Sequence, residues 1–231
     1  MSEDSLIGVV GPGEISAHVR VTAINGIQYN RKDALDLWRD VAELFGTSVH
    51  FVYNETKGPR FIDGTHAFFD KYVRDNPKVV RALAGHWESL LDEMGEGGMI
   101  YHIAHSHGAL LTTQAASLVS SHVRSRLIIR TFGALENPYQ RDFADIKNIV
   151  CTDDPVVRWL NWYDEPGNVI RIPGVAKPKN VHQNHSMRGE PYWSYLRDYE
   201  SFAFRERYES KFSKFKQWLL SFWPFPRNVI G

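Results

Sequence analysis

The chain has 231 residues, and its 27 basic and 27 acidic side chains give a formal net charge of zero with histidine neutral. Its length suits one domain, residues 1–231, that buries enough apolar surface to fold unaided. Balanced charge removes the general attraction to phosphate on which nucleic-acid binders rely, so no nucleic-acid partner is expected. The single cysteine, Cys151, excludes an internal disulfide and a multi-cysteine zinc site.

The start of the chain, MSEDSLIGVVGPGEIS, does not have the pattern of a secretory signal. Acidic residues stand where a signal is basic, and the apolar run is too short for an export core. No stretch reaches the roughly 20 apolar residues that cross a bilayer. We therefore expect a cytoplasmic protein, with secretion by a signal-independent route left open.

Short apolar segments alternate with amphipathic ones along most of the chain. A β-branched run at 19–27 predicts a strand that ends in a tight turn, and the helix at 34–45 begins after Asp33 and ends at Gly46. The later predictions are strands at 48–53, 99–104, 126–131, 148–151 and 168–172, with helices at 79–94 and 109–123. This alternation predicts an α/β fold with a mainly parallel central sheet and helices on both faces.

Two stretches depart from this alternation. The interval between the strands at 48–53 and 99–104 is longer than one crossover helix needs, and its aromatic residues lie mainly at 58–76. They are expected either to cap a cleft or to pack in the core. The stretch at 190–225 is rich in rings and basic side chains and predicts one or two long helices. These helices are expected to make peripheral contact with a membrane, to dock on a partner, or to pack back on the sheet.

The segment after the predicted strand at 99–104 has the pattern of a nucleophilic turn. It reads Ala104, His105, Ser106, His107, Gly108, with small residues two positions before and after the serine. The nucleophile elbow of the α/β-hydrolases has this construction, because small neighbours let strand and helix approach closely while the hydroxyl stands clear of the sheet. The alternative is that Ser106 only caps the following helix. The adjacent histidines are expected to pack and form hydrogen bonds around the turn.

A serine nucleophile requires a histidine base and a carboxylate that orients it. In the hydrolase order the acid follows a later strand, where Asp153 and Asp154 stand. Asp154 is favoured because Pro155 fixes the chain after it, while Asp153 is suited to cap the next helix. The histidine follows the last strand, where His182 and His185 are available, and His185 is preferred because it stands directly before the aromatic segment.

The two histidines could also suggest a metal, because they are spaced as HxxH. Neither an HExxH pattern nor a cysteine partner is present, so metal binding is the poorer interpretation. No metal and no cofactor are predicted.

The oxyanion that forms during acyl transfer needs backbone N–H donors. They are usually the residue after the nucleophile and a residue in the turn after an earlier strand. Here these are His107 and, in the turn that begins at Asn25 and Gly26, Ile27 or Gln28. An ordinary strand-ending turn also favours Asn-Gly, but its position ahead of the elbow strand favours the oxyanion role.

With these residues in order, the chain resembles the α/β-hydrolase superfamily and, within it, the class 3 lipases. The resemblance covers roughly residues 17–200 and rests on the elbow, on TFGA at 131–134 and on DPV at 154–156, followed by a histidine. It implies an α/β-hydrolase fold and a triad of Ser106, Asp154 and His185. The chain departs from the lipases at Ala104 and at Asn25, where many lipases have histidine.

A closer similarity is to a family of hydrolase-like proteins from chlamydiae. It rests on YNETKG at 53–58, RALAGHWESLL at 81–91, HSHGA at 105–109 and DDPV at 153–156. This resemblance supplies no substrate.

The leading hypothesis is a serine esterase that cleaves a carboxylic ester, of a lipid or another acyl group, through an acyl-enzyme. A chain without net charge suits an uncharged ester. One alternative is an interaction protein that keeps the fold but has weak or lost catalysis. Another is a thioesterase, peptidase or acyltransferase that uses the same triad.

Overall fold

One seven-stranded sheet runs through the part of the chain that the structure describes. The computed structural model describes residues 6–27, 29–55, 76–138, 142–160, 168–175 and 183–209. The strands are β1 (Ile7–Val10), β2 (Val19–Ile24), β3 (Val49–Val52), β4 (Met99–His105), β5 (Leu127–Phe132), β6 (Asp145–Cys151) and β7 (Val169–Ile172). Their order across the sheet is β1-β3-β2-β4-β5-β6-β7, with β1 antiparallel to β3 and the remaining pairs parallel. The predicted mainly parallel sheet is confirmed.

Helices cover both faces of the sheet. They are α1 (Arg31–Phe45), α2 (Pro77–Met94), α3 (His107–Leu118), α4 (Ser121–Arg124), α5 (Pro155–Leu160), α6 (Glu190–Tyr195) and α7 (Ser201–Tyr208), with a π-helical turn at Leu196–Glu200. One apolar core, which contains Trp87, lies between the sheet and α2, α3 and α4. The other, which contains Trp38, lies between the sheet and α1, α6 and α7. The predicted placement of helices on both faces is therefore confirmed.

The ends of α1 follow directly from local sequence. The side-chain oxygen of Asn30 accepts a hydrogen bond from the N–H of Asp33 at 2.8 Å, which satisfies a donor of the first turn. Gly46 ends the helix in the left-handed conformation, with φ 67°. Leu37 and Trp38 face the sheet and are fully buried. A cap, an apolar face and a terminating glycine together specify this element.

Several predicted boundaries are wrong. The helix predicted at 109–123 is two helices, because the chain leaves the helical conformation at Val119 and Ser120, and the Ser120 hydroxyl accepts from the N–H of Val123 in α4. The strand predicted at 19–27 ends at Ile24, before the turn. Strand β1 was not predicted, because four residues carry little local signal and its pairing with β3 is a long-range contact.

Two predictions fall wholly or partly outside the described residues. The segment at 58–76, predicted to cover a cleft, lies outside the described residues except for Asn76, which is the N-cap residue of α2. Of the stretch at 190–225, residues 190–209 are described, and they pack on the sheet through Tyr192, Leu196 and Phe204. Tyr199 in this stretch is exposed. None of the described helices has both the length and the apolar character needed to span a membrane.

A buried group of charges ties the π-helical turn to the sheet. One carboxylate oxygen of Glu200 accepts from Arg130 at 2.7 Å, and the other accepts from Lys147 at 3.1 Å. The hydroxyl of Tyr101 also donates to this carboxylate. Since the buried carboxylate is fully partnered, the cluster fastens α6 and α7 to β4, β5 and β6.

Candidate active site

The parallel strands bring the predicted site residues to one edge of the sheet. β4 ends at His105, directly before Ser106, and β6 ends at Cys151, three residues before Asp154. His185 lies between β7 and α6, in a segment without regular secondary structure. Ligands of parallel α/β proteins bind at the carboxyl ends of the strands, and all three side chains lie at that edge.

Ser106 occupies a strained turn between β4 and α3. Its φ of 53° and ψ of −122° make it the one non-glycine residue with positive φ among those the structure describes. A Cβ on Gly108 would lie 2.8 Å from the backbone oxygen of Ile24 and 2.9 Å from that of Asn25, so only glycine lets α3 approach β2. Ala104 is fully buried between β2 and β5. Strain of this kind persists where a site requires it.

The Ser106 hydroxyl contacts His185, and it makes no capping hydrogen bond to α3, so the alternative role as a helix cap is wrong. Ser106 Oγ lies 3.0 Å from His185 Nε2. His185 Nδ1 lies 2.9 Å from Asp154 Oδ2 and 3.0 Å from Oδ1. Since a carboxylate only accepts, Nδ1 carries the hydrogen, and Nε2 presents its lone pair to the serine hydroxyl. The three residues are 2%, 0% and 8% exposed in the order serine, aspartate, histidine.

The structure brings Asp154 and not Asp153 to the histidine. The Asp153 side chain is 51% exposed and lies 3.8 Å from Arg158. Asp153 was also expected to cap the next helix, but Asp154 does so, because its Oδ1 accepts from the N–H of Val156 at 2.8 Å. The alternate histidine, His182, lies outside the described residues.

Tyr192, which sequence reasoning did not assign, completes the surroundings of Asp154. Its hydroxyl donates to Asp154 Oδ2 at 2.6 Å and accepts from the N–H of Cys151 at 3.1 Å. Burial first, and then the charge of Asp154, raises the pKa of Tyr192 well above its usual value, so the hydroxyl keeps its proton. Together with the backbone donors of α5, Tyr192 satisfies the buried carboxylate.

Gly133, after β5, leaves room for this cluster. It has φ 56°, and a Cβ there would lie 2.9 Å from Asp154 Oδ2 and 3.0 Å from the Tyr192 hydroxyl. Gly133 belongs to the TFGA segment at 131–134, so a local motif in the sequence pointed to this residue. No local signal marks Tyr192, which lies 38 positions from Asp154.

The predicted oxyanion turn packs against Ser106. A Cβ on Gly26 would lie 3.0 Å from the Cβ of Ser106, so a side chain here would press on the serine. Ile27 is buried in this turn. Gln28, the alternate donor, lies outside the described residues.

Asn54, after β3, links the two chain segments that carry the expected oxyanion donors. Its side-chain Nδ2 donates to the backbone oxygen of Asn25 at 3.2 Å and to His107 Nδ1 at 3.0 Å. Its backbone N–H donates to Asn25 Oδ1 at 3.0 Å. The buried Asn54 therefore holds the turn after β2 against His107, the residue that follows Ser106.

The histidines around the elbow are buried and hydrogen-bonded, as the sequence predicted. His102 bonds Thr22 through Nδ1 at 2.8 Å and Thr112 through Nε2 at 2.9 Å. Burial, more than any neighbouring charge, lowers the pKa of His102 to about 3, so this ring is neutral. His102 therefore acts in packing.

The chemistry available here does not include a reactive thiol. Burial raises the pKa of Cys151 to about 11, so the thiol stays protonated near neutral pH. Within the described ranges no three His, Cys, Asp or Glu side chains are grouped closely enough to hold a metal ion.

Comparison with known proteins supports the fold. No family model matches the chain, and no curated protein matches it. Among solved structures, a hyperthermophilic esterase from the archaeon Pyrobaculum calidifontis is similar with a TM-score of 0.51 and 12% identity, over 88% of this chain and 80% of that one. Carboxyl esterase 2 from the mycorrhizal fungus Tuber melanosporum gives 0.49 and 13%, over 87% and 82%. A cutinase from Trichoderma reesei gives 0.39 and 13%, over 83% and 76%.

The sheet topology and the first of these similarities agree on one architecture. The sheet is mainly parallel with an antiparallel edge strand, and a strained serine turn connects β4 to α3. The described part of the chain has an α/β-hydrolase fold.

Proposed function

We propose that this protein is a serine hydrolase that cleaves a carboxylic ester of a lipid or another acyl group. The observation that carries the proposal is the chain of contacts from Ser106 Oγ to His185 Nε2, at 3.0 Å, and from His185 Nδ1 to Asp154 Oδ2, at 2.9 Å. A hydroxyl held by an imidazole that a buried carboxylate orients is the arrangement that nucleophilic acyl transfer requires.

In acylation, Ser106 Oγ forms a bond to the ester carbonyl carbon, and its proton passes to His185 Nε2. Asp154 holds the imidazole in place and stabilises its positive charge while it carries this proton. The carbonyl oxygen becomes an oxyanion, for which the backbone N–H groups of Ile27 and His107 are the proposed donors. The bond to the alcohol then breaks, and the alcohol leaves with the proton from His185.

Water completes the cycle. His185 Nε2 takes a proton from the water, whose oxygen attacks the acyl carbon. The bond between that carbon and Ser106 Oγ breaks, the serine regains its proton from His185, and the carboxylic acid is released. Each step uses groups of this chain and water alone.

A small apolar cluster beside the triad supports an apolar acyl group. Leu135 and Val156 are buried together and contact Leu110 of α3, apart from the two main cores. The N–H of Leu135 donates to the backbone oxygen of Ser106, and Val156 bonds Asp154. Apolar side chains around a few polar groups are typical of ligand sites, so this cluster is the proposed contact for the acyl chain.

One similar solved structure is an esterase by its name, which is consistent with an ester substrate. The proposed class 3 lipase-like character, and the likeness to the chlamydial hydrolase-like proteins, rest on the motifs in the sequence. Thioesterase, peptidase and acyltransferase chemistry would use the same three residues.

A fluorophosphonate probe and short-chain p-nitrophenyl esters test the proposal. The parent is expected to be labelled and to turn over the ester. In Ser106→Ala, labelling is lost and turnover falls by about 10⁴-fold or more. Ser117→Ala, which changes an exposed serine of α3, is the matched control and keeps both activities.

Two results would contradict the proposal. Equal labelling of parent and Ser106→Ala would refute the assignment of the nucleophile. A parent that is neither labelled nor active on esters or thioesters would favour the interaction protein with lost catalysis.

A further inference from the structure

A second imidazole, that of His105, lies directly beside the proposed catalytic pair. His105 ends β4, is 3% exposed, and its ring centroid lies 5.2 Å from that of His185. His105 Nε2 lies 2.7 Å from the backbone oxygen of His185. Since a carbonyl oxygen only accepts, Nε2 carries the hydrogen and His105 is the donor. This bond joins residues 80 positions apart in the chain.

The other ring nitrogen indicates that His105 is neutral. Nδ1 is buried and has no hydrogen-bond partner within the described part of the chain. It faces Gly26, where a Cβ would lie 3.1 Å away. A cationic ring would place a second N–H there with no acceptor. Burial first, and then the neighbouring His185, lowers the pKa of His105 to about 3, so its single hydrogen stays on Nε2 near neutral pH.

The segment that carries His185 has no helix or strand to hold its backbone. Residues 183–189 form turns and bends between β7 and α6. Asn184, one residue earlier, is anchored by its side-chain oxygen, which accepts from the N–H of Val175 at 2.9 Å. The bond from His105 restrains the next carbonyl, that of His185, and thereby helps to place the backbone from which the His185 side chain extends.

We propose that His105 is a positioning residue, whose imidazole N–H holds the His185 backbone so that the His185 ring faces Ser106. This inference rests on the proposed esterase function. A buried nitrogen without a partner is unfavourable for folding, so the unpartnered Nδ1 favours the neutral ring whose single hydrogen is on Nε2. His105 therefore has the contact, the tautomer and the location that the role requires.

Two amide substitutions separate positioning from packing. The amide nitrogen of Gln in His105→Gln reaches about as far as Nε2 and can donate to the His185 carbonyl. In His105→Asn the amide nitrogen reaches only about as far as Nδ1 and cannot. His105→Phe keeps a ring of similar size without any donor. His86→Phe is the control, because His86 is also buried with an unpaired Nε2 but packs on His50 in β3.

The experiment measures kcat and KM on a p-nitrophenyl ester, the rate of fluorophosphonate labelling, and thermal unfolding. We expect kcat and the labelling rate to fall about 10- to 100-fold in His105→Phe and His105→Asn, because a small misplacement of a catalytic group costs about that much. KM stays near that of the parent, while the unfolding temperature of His105→Phe falls by a few degrees, because the buried His185 carbonyl loses its donor. His105→Gln recovers most of the lost kcat, and His86→Phe keeps the parental kcat.

Several outcomes overturn the inference. One is parental kcat in both His105→Phe and His105→Asn. Another is equal kcat in His105→Gln and His105→Asn, a comparison that remains decisive if His105→Phe does not fold. In either case an active parent leaves the proposed esterase function intact. A parent that is neither labelled nor active removes the esterase function, and the positioning role with it.

Discussion

Replacing Tyr192 with Phe separates the effect of its hydroxyl on stability from its effect on ester turnover. The substitution keeps the buried ring but deletes a hydroxyl that donates to Asp154 Oδ2 at 2.6 Å. It also leaves the N–H of Cys151, which bonds that hydroxyl at 3.1 Å, without its acceptor. Two buried hydrogen bonds are therefore lost together.

The structure permits an estimate of both effects. A hydrogen bond to a charged group contributes about 1.5 to 3 kcal/mol, and an unpaired buried donor costs about 1 to 3 kcal/mol, so we expect a loss of about 3 kcal/mol in unfolding free energy. For a chain of this size that loss lowers the unfolding temperature by about 6 to 12 °C. Asp154 keeps its bonds to His185 and to the N–H groups of Val156 and Val157. The carboxylate still faces the imidazole, and kcat falls by only about 10-fold or less.

Urea unfolding followed by circular dichroism gives the stability, and ester turnover at 25 °C, below the transition, gives kcat. Tyr195→Phe is the matched control on the same helix, because its hydroxyl makes a longer contact, 3.4 Å, to Glu200. It is expected to lower stability by clearly less.

Either of two results would refute this reasoning. An unchanged urea midpoint in Tyr192→Phe would mean that the hydroxyl contributes nothing to the buried network. A fall in kcat as large as that of Asp154→Asn would mean that the backbone donors of α5 do not hold the carboxylate.

Three further predictions concern other parts of the molecule. Asp154→Asn lowers kcat about 10³- to 10⁴-fold while Asp153→Asn leaves it unchanged, and equal losses in ester turnover would contradict the choice of acid. Asn54→Asp removes the donor that joins the two oxyanion segments, so kcat falls about 10- to 100-fold, whereas a rise in KM alone would count against that role. Burial first, and then His50, lowers the pKa of His86 to about 4. Between about pH 6.5 and 4 the unfolded chain therefore binds more protons than the folded chain, and the unfolding free energy decreases as the pH is lowered. As the pH is lowered across this window, the unfolding free energy of His86→Phe decreases by about 3 kcal/mol less than that of the parent, as measured by urea titrations at several pH values. Equal pH dependence of the two unfolding free energies would argue against a neutral His86.

The element pattern and the serine turn could be predicted because both are encoded by neighbouring residues. The alternation of strands and helices follows from periodicity within each segment, as the cap, apolar face and terminal glycine of α1 illustrate. The serine turn is visible in five consecutive residues, because its small neighbours are needed within two positions of Ser106. Gly108 shows the reason, since a side chain there would strike the backbone at the end of β2.

The contacts of the site depend on distances that no local pattern contains. Asp153 and Asp154 are adjacent in sequence, and only the turn after β6 makes one of them face His185 while the other is exposed. Tyr192, Asn54 and the bond from His105 to His185 were not predicted, because each joins segments 29 to 80 positions apart.

The sequence alone determined the length, the balanced charge, the alternation of strands and helices, and the elbow motif. Each of these depends on composition or on residues close together in the chain. The sequence favoured Asp154 over Asp153 without excluding either, and the tertiary structure alone decided which buried groups support the carboxylate. The physical reason is that side-chain packing and strand register bring together residues that are far apart in the sequence. Their spacing follows neither the helix period nor the strand period, so no local pattern indicates the contact.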